Sequence, residues 1–231
     1  MDLNALEAKL QFVFKNKDIL RTALTHRSYL NEHRNYPLPN NERLEFLGDA
    51  VLELAVTGYL YENYPNPEGE LTNLRSALVN YRMLSAIAGD CDLESHLLLS
   101  RGEAKDAGRA RQVILANAME AVIGAMFLDG GYDRTHEFIK RHVLTKLPEV
   151  IATKSYIDPK SHLQELVQEK SGITPAYQVL SEVGPDHNKV FTMGVYIGSQ
   201  KVGEGTGPSK QEAEVTAAEA ALKEGTWKQF V

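Results

Sequence analysis

The sequence predicts a multi-domain chain, an all-α domain followed by a small α+β domain ordered α-β-β-β-α, on three observations. In the first 148 residues, apolar positions recur at helical spacing in one segment after another. Leu147-Pro148 then ends those helices and Ile157-Asp158-Pro159 opens a new segment, with a short linker between. Beyond it, Phe191, Met193, Val195 and Ile197 alternate as a half-buried strand before the two-residue turn Gly198-Ser199. The boundaries follow as 1–148 for the first domain, 149–157 for the linker and 158–226 for the second domain.

Between residues 4 and 30 the apolar positions Leu6, Leu10 and Phe14, then Ile19, Leu20, Ala23 and Leu24, break near Lys15 to Lys17. Two short helices are expected. His26 has Thr25, Arg27 and Ser28 around it, which suits a packed, hydrogen-bonded helix end rather than a catalytic group. Residues 31–40, with Pro37 and Pro39, read as a loop.

The loop delivers the chain to Asn41-Glu42-Arg43-Leu44-Glu45-Phe46-Leu47-Gly48-Asp49-Ala50-Val51-Leu52-Glu53. Glu42, Glu45, Asp49 and Glu53 fall three, four and four residues apart and share one helical face, while Leu44, Leu47, Val51 and Leu52 supply apolar surface elsewhere. Like charges at these spacings oppose a helix by ~0.2–0.5 kcal/mol per pair, and an interior glycine costs about 1 kcal/mol relative to alanine. Compensation from outside the helix is therefore expected, from a bound cation or from a solvated surface.

Residues 64–72 form a turn whose Thr72 is placed to cap a helix over 73–84. Residues 100–111 are punctuated by glycine and carry Arg101, Lys105, Arg109 and Arg111. Two readings stand side by side for this loop, a solvated connection and a phosphate-contacting one. Residues 113–128 are apolar nearly all round and read as a buried helix, yet Asn117 and Glu120 lie three apart on one side of it. An unpaired buried carboxylate is costly. Facing the carboxylate stripe, these two residues would complete a metal site.

In the second domain residues 160–170 are helical with Leu163, Leu166 and Val167 inward, and residues 177–183 form the strand before the hairpin. The last helix starts near Gly207-Pro208-Ser209, where Ser209 and Glu212 make a capping box. Its Ala213, Ala217, Ala220 and Ala221 give a small-residue face that lets it lie close on the sheet.

The net charge of −6 argues at first against a nucleic-acid partner, since affinity for phosphate comes from Lys and Arg. Divided at Lys154, the chain carries −4 before it and −2 from it onward, so any binding surface must be local. No run of about 18 apolar residues occurs, and Met1-Asp2-Leu3-Asn4 lacks the basic-then-apolar pattern of a secretion signal. A cytoplasmic location without a membrane partner is expected. The single Cys91 excludes an internal disulfide and a cysteine cluster for zinc, leaving oxygen ligands or histidines for any metal.

Residues 41–50 closely resemble the signature of the ribonuclease III family, endonucleases of double-stranded RNA, and residues 116–128 resemble that family's second catalytic helix. Ala23-Leu24-Thr25-His26-Arg27-Ser28 and the C-terminal domain, which resembles a double-stranded-RNA-binding domain, extend the similarity over nearly the whole chain. The resemblance implies an all-α endonuclease domain followed by a duplex-binding domain, a homodimer in which each subunit cuts one strand, and no organic cofactor. It implies that Glu45, Asp49, Asn117 and Glu120 hold a catalytic Mg²⁺, for which Mn²⁺ can substitute, with Asp49 and Glu120 central to catalysis and Glu42 and Glu68 supporting. It further implies 5′-phosphate and 3′-hydroxyl products, and a role in processing rRNA precursors and other structured transcripts, mRNA included.

By the same resemblance Ser161, Gln164, Glu165 and Gln168 face one minor groove of the duplex, His187 faces the next, and Lys210 meets phosphate at a helix N-terminus. Two positions depart from the family's pattern. Asn117 stands where an aspartate is usual, and Gln211 where a second lysine is common. Asn117 keeps an alternative open, a weakened or non-catalytic duplex-binding or ribosome-associated protein of the same architecture. A helical phosphohydrolase acting on small nucleotides would explain the acidic site but leaves the C-terminal domain without a purpose.

Overall fold

The computed structural model describes residues 2–105, 107–185 and 189–230. Its chain divides into two units, Met1–Tyr156 and Ile157–Val231. The first is helical: α1 (Leu3–Leu10), α2 (Lys17–Ala23), α3 (Arg27–Glu32), α4 (Glu42–Asn63), α5 (Glu68–Val79), α6 (Tyr81–Asp90), α7 (Arg109–His142) and α8 (Leu147–Thr153).

Three helices, not two, occupy the first thirty residues. The extra break falls at Thr25, which leaves the helix to form a parallel bridge with Leu98; Leu98 N–H donates to Leu24 O (2.8 Å) and His26 N–H donates to Leu98 O (3.0 Å). His26 then caps α3, its Nδ1 accepting from Ser28 N–H (3.3 Å). Ser28 Oγ in turn accepts from Ser100 N–H (3.1 Å), so this stretch holds the connection between α6 and α7 in place. Asn41, itself buried, fixes the start of α4: its side-chain amide donates to Ala23 O (3.3 Å) and its N–H to Thr25 O (2.9 Å).

The helix expected over 73–84 is two helices. Thr72 lies inside α5, which begins at Glu68 directly after Pro67, and Asn80 is extended (φ −71°, ψ 160°). Asn80 Oδ1 accepts from Met83 N–H (3.0 Å) and caps α6, since a short polar side chain satisfies a helix end better than it continues a helix. Nor are residues 149–157 a plain linker. Pro148 sits in the first turn of α8, where its missing N–H is not needed, and Val150 is buried with Ile151 packed on the core.

The central element is α7, which turns at Gly131 (φ 77°) and buries Leu115, Ala118, Met119, Val122, Ile123 and Met126 against α4 and its neighbours. The helical run Arg109–Thr153 is long and apolar enough to cross a membrane, but 56% of its most apolar stretch is buried inside the unit, as in the core helix of a globular domain.

The second unit contains α9 (Pro159–Ser171), β1 (Ala176–Val183), β2 (Val190–Ile197), β3 (Gln200–Gly207) and α10 (Lys210–Glu224). Its sheet is antiparallel in the order β1-β2-β3, with Tyr177 opposite Val195 and Val195 opposite Gly203. Ser209 Oγ accepts from Glu212 N–H (3.2 Å) at the start of α10. The buried alanines of α10 are Ala213, Ala217, Ala218 and Ala221; Ala218 takes the place expected of Ala220, which is only half-buried. Trp227 is buried with Leu163, Val167 and Val195, so the ordered chain continues past the expected end at 226 because an indole closes the core.

Candidate active site and nucleic-acid interface

Gly48 of α4 and Gly124 of α7 face each other. A Cβ on Gly48 would stand 1.7 Å from the Glu120 carbonyl oxygen, and one on Gly124 would stand 2.2 Å from the Leu44 carbonyl oxygen. No side chain fits there. The two helices therefore meet backbone to backbone, and the compensation expected for Gly48 from an ion or from solvent comes instead from this packing, with Leu44, Val51, Leu52, Met119 and Ile123 buried around it.

Such an approach brings the polar residues of the two helices together. Asn117 donates a hydrogen bond to the Glu45 carboxylate, which favours its charged form, yet burial and the charges of Glu42 and Asp49 hold Glu45 above its ordinary pKa. Glu120 is pushed up to about 8, by burial first and then by Asp49, Glu45 and Glu53. The half-buried Glu45, Asn117 and Glu120 thus share one site with the exposed Asp49. Glu42 is exposed at its rim, 3.5 Å from Arg27, and raises Glu45 through charge alone. Glu53 was not among the sequence candidates, although its place in the i, i+4 stripe was the signal that could have found it.

The structure sets Glu68 apart. It opens α5 and lines an apolar cleft of 680 Å³ with Tyr61, Tyr64 and Leu71, while Thr72 Oγ1 donates to its carboxylate (3.3 Å). From Asp49 to Tyr61 is about 18 Å along α4 at 1.5 Å per residue. Within one chain Glu68 is not brought to the acidic cluster.

Three carboxylates and an amide oxygen are hard donors, and a divalent cation would offset both the burial and the neighbouring negative charges that raise Glu120. The donor set fits such an ion. Among the described residues no three His, Cys, Asp or Glu side chains form a preassembled metal cage.

Of the basic residues at 100–111, Arg109 and Arg111 lie in the first turn of α7: Arg111 Nε donates to Glu94 (2.8 Å) and the Arg109 guanidinium lies 5.6 Å from the Tyr81 ring centroid, while in the loop before it Arg101 N–H donates to Glu32 (3.3 Å). These contacts anchor the loop to α6 and α3. Cys91 is buried and its thiol is pushed up to about 11 by that burial, an inert packing residue.

On the second unit Ser161, Gln164, Glu165 and Gln168 are all exposed along α9. Asp158 Oδ1 accepts from Ser161 N–H (2.9 Å) and orders the first turn, and Gln164 Nε2 donates to Gln168 Oε1 (3.4 Å). A polar cleft of 250 Å³ gathers Ser161 and Gln164 with Gln211 of α10, so the glutamine that replaces the usual lysine adjoins the α9 face. Lys210 begins α10, and His187 lies outside the described residues.

Comparison with known proteins agrees with both halves. Residues 16–147 match the family described as Ribonuclease-III-like, and residues 159–224 match the double-stranded RNA binding motif. Ribonuclease 3 of Oceanobacillus iheyensis is 47% identical over 223 residues, covering 96% of this chain and 97% of its own. Ribonuclease 3 of Borreliella burgdorferi is 47% identical over 215 residues, covering 93% and 87%. A crystallised nuclease domain of ribonuclease III from Campylobacter jejuni is 38% identical, with a TM-score of 0.58 over 64% of this chain and 99% of its own. Likeness of this extent reaches the acidic helices and the duplex-binding module alike, and the chain belongs to the ribonuclease III family of endoribonucleases.

Proposed function

We propose that this chain hydrolyses phosphodiester bonds of double-stranded RNA in a magnesium-dependent reaction that leaves 5′-phosphate and 3′-hydroxyl ends, and that its substrates include rRNA precursors and other structured transcripts in the cytoplasm. One observation carries the reading. Across the Gly48–Gly124 contact, the half-buried Glu45, Asn117 and Glu120 and the exposed Asp49 come together in a single site.

A bound divalent ion supplies a Lewis acid for the scissile phosphate and a water of lowered pKa. Glu45, Asp49 and Glu120 would hold it with the Asn117 carbonyl oxygen, while the Asn117 N–H₂ keeps its acceptor on Glu45 and fixes the amide's orientation. In the ion-free chain at neutral pH, Glu120 holds a proton that it must give up to act as a ligand. The rim carboxylate Glu42 adds negative charge without being buried. The exposed face of α9 would lie against 2′-hydroxyls of the duplex, with Lys210 on phosphate.

A two-fold homodimer is part of the proposal. Phe46, Leu54 and Tyr61 are 82%, 60% and 80% exposed and share one side of α4 beside the acidic stripe, and the apolar cleft near Glu68 offers a matching concavity. An isologous contact needs such self-complementary surfaces. The Campylobacter jejuni nuclease domain, by its own description, has a region involved in dimer formation.

The test is the magnesium dependence of cleavage of a long RNA duplex by wild type, Asn117→Asp and Glu120→Gln in parallel. Short duplex products from wild type that vanish in excess chelator are expected. A second reading, duplex binding without cleavage, rests on Asn117. It gains if wild type is inactive at every magnesium level while Asn117→Asp cuts.

A further inference from the structure

The second unit binds a polyanion while carrying more acidic than basic side chains, and its clearest phosphate ligand is already occupied. Lys210 Nζ lies 3.0 Å from Glu182 Oε1, and the same carboxylate stands 4.0 Å from Lys189 Nζ. Glu182 is on β1 directly opposite Phe191 of β2, and the Lys210 ammonium sits 5.6 Å from the Phe191 ring centroid. Carboxylate, ring and two ammonium groups therefore form one surface cluster at the start of α10, where helix N–H groups and dipole favour an anion.

We propose that Glu182 is a built-in counter-anion that occupies the phosphate position of Lys210 and Lys189 in the free chain, holds both ammonium groups in place, and must be displaced from them when a backbone phosphate of the RNA arrives. The inference rests on the reading of Lys210 as a phosphate ligand. Its physical basis is competition. Side-chain exposures of 55% for Lys210, 37% for Glu182 and 32% for Lys189 leave the cluster open to solvent, so the internal ion pairs are weak enough to exchange. A phosphate that takes the lysines leaves Glu182 beside it as an uncompensated like charge, which weakens binding and reduces the number of salt ions released from the duplex. Glu182 is a positioning residue that acts through the lysines rather than by touching RNA.

The experiment measures binding of the full chain to a duplex RNA in excess chelator, where nothing is cut, from about 50 to about 200 mM salt. Four variants are compared with wild type: Glu182→Gln, Glu182→Asp, Lys210→Gln and the Glu182→Gln/Lys210→Gln double variant, each checked for folding by thermal melting. Glu182→Gln is expected to bind about two- to fivefold tighter with a salt slope steeper by about one. Glu182→Asp, which keeps the charge, should show no gain. Lys210→Gln should bind more weakly with a slope shallower by about one, and most of the Glu182→Gln gain should vanish in its background. If Lys210→Gln weakens binding but Glu182→Gln does not strengthen it, the counter-anion role is wrong and the reading of Lys210 stands. If Lys210→Gln changes nothing, both fall. A gain that persists undiminished in the double variant would mean that Glu182 acts by general charge and would overturn the proposal.

Discussion

The junction of α4 with α7 and that of β3 with α10 use the same device to opposite electrostatic ends. In the first unit Gly48 and Gly124 let two helices touch. In the second, Gly203, Gly205 and Gly207 let α10 lie directly on the sheet, where a Cβ on Gly205 would stand 2.2 Å from Ala217 N. What differs is the charge carried by the approaching elements. Across α4 and α7, carboxylates meet carboxylates in a half-buried place, and Glu120 is driven to about 8. Around β3 and α10 the lysines meet carboxylates on an exposed surface, as Lys201 does with Glu204 and Lys210 with Glu182. Close packing alone does not make a strained site. Like charge together with burial does, and that combination separates the acidic centre from the duplex-binding face.

The sharpest way to break the comparison is to push each pair of elements apart. Gly124→Ala should cost about 3 kcal/mol and abolish cleavage, because its Cβ meets the Leu44 carbonyl and the helices must separate. Gly205→Ala should cost a similar amount in the second unit and remove duplex affinity instead. Urea unfolding with cleavage and binding assays on both variants checks this, and equal loss of both activities in either variant would show that the two junctions are not independent.

Next in size is Glu120→Gln, which keeps the shape and removes the charge. Cleavage should fall by at least ~100-fold while duplex binding persists, since a ligand is lost and no residue of the binding face is touched. Binding lost along with cleavage would contradict the division of labour.

Asn117→Asp should have a smaller effect of opposite sign. A full charge replaces an amide dipole, so half-maximal activity should need on the order of tenfold less magnesium. In chelator the same variant should be less stable than wild type, because the hydrogen bond to Glu45 becomes a repulsion. An unchanged magnesium dependence would remove Asn117 from the ligand set.

A further expected effect is in pH dependence. Glu120 has its folded pKa raised from an ordinary 4.5 to about 8, so its favourable contribution is complete below about 4.5 and is lost as pH rises through about 8. In chelator, wild type should lose stability relative to Glu120→Gln across that window. Parallel pH curves for the two proteins would show that the carboxyl is not perturbed in this way.

Much of this was legible in the sequence because it is local. A stripe at i, i+3 and i+4 gives the acidic face of α4, alternation gives β2, and Ser209 before Glu212 gives the start of α10, all from spacing that the backbone imposes on neighbours. Asn117 and Glu120 stand out because polar residues on an all-round apolar helix demand a reason.

Contacts between residues far apart in the chain decided the rest. Gly48 looked like a weakness in its helix until Gly124 was set against it, and Glu68, given a supporting role by resemblance, is separated from Asp49 by the length of α4. Thr25 leaves its helix for Leu98, and Pro148 begins α8 rather than ending the domain, because partners outside the local pattern bury what would otherwise be exposed. The sequence by itself determined which residues are chemically able to hold an ion or meet a phosphate. Only the tertiary structure decided which of them stand together, since the pKa of Glu120 and the pairing of Lys210 depend on distances that packing, not spacing along the chain, sets.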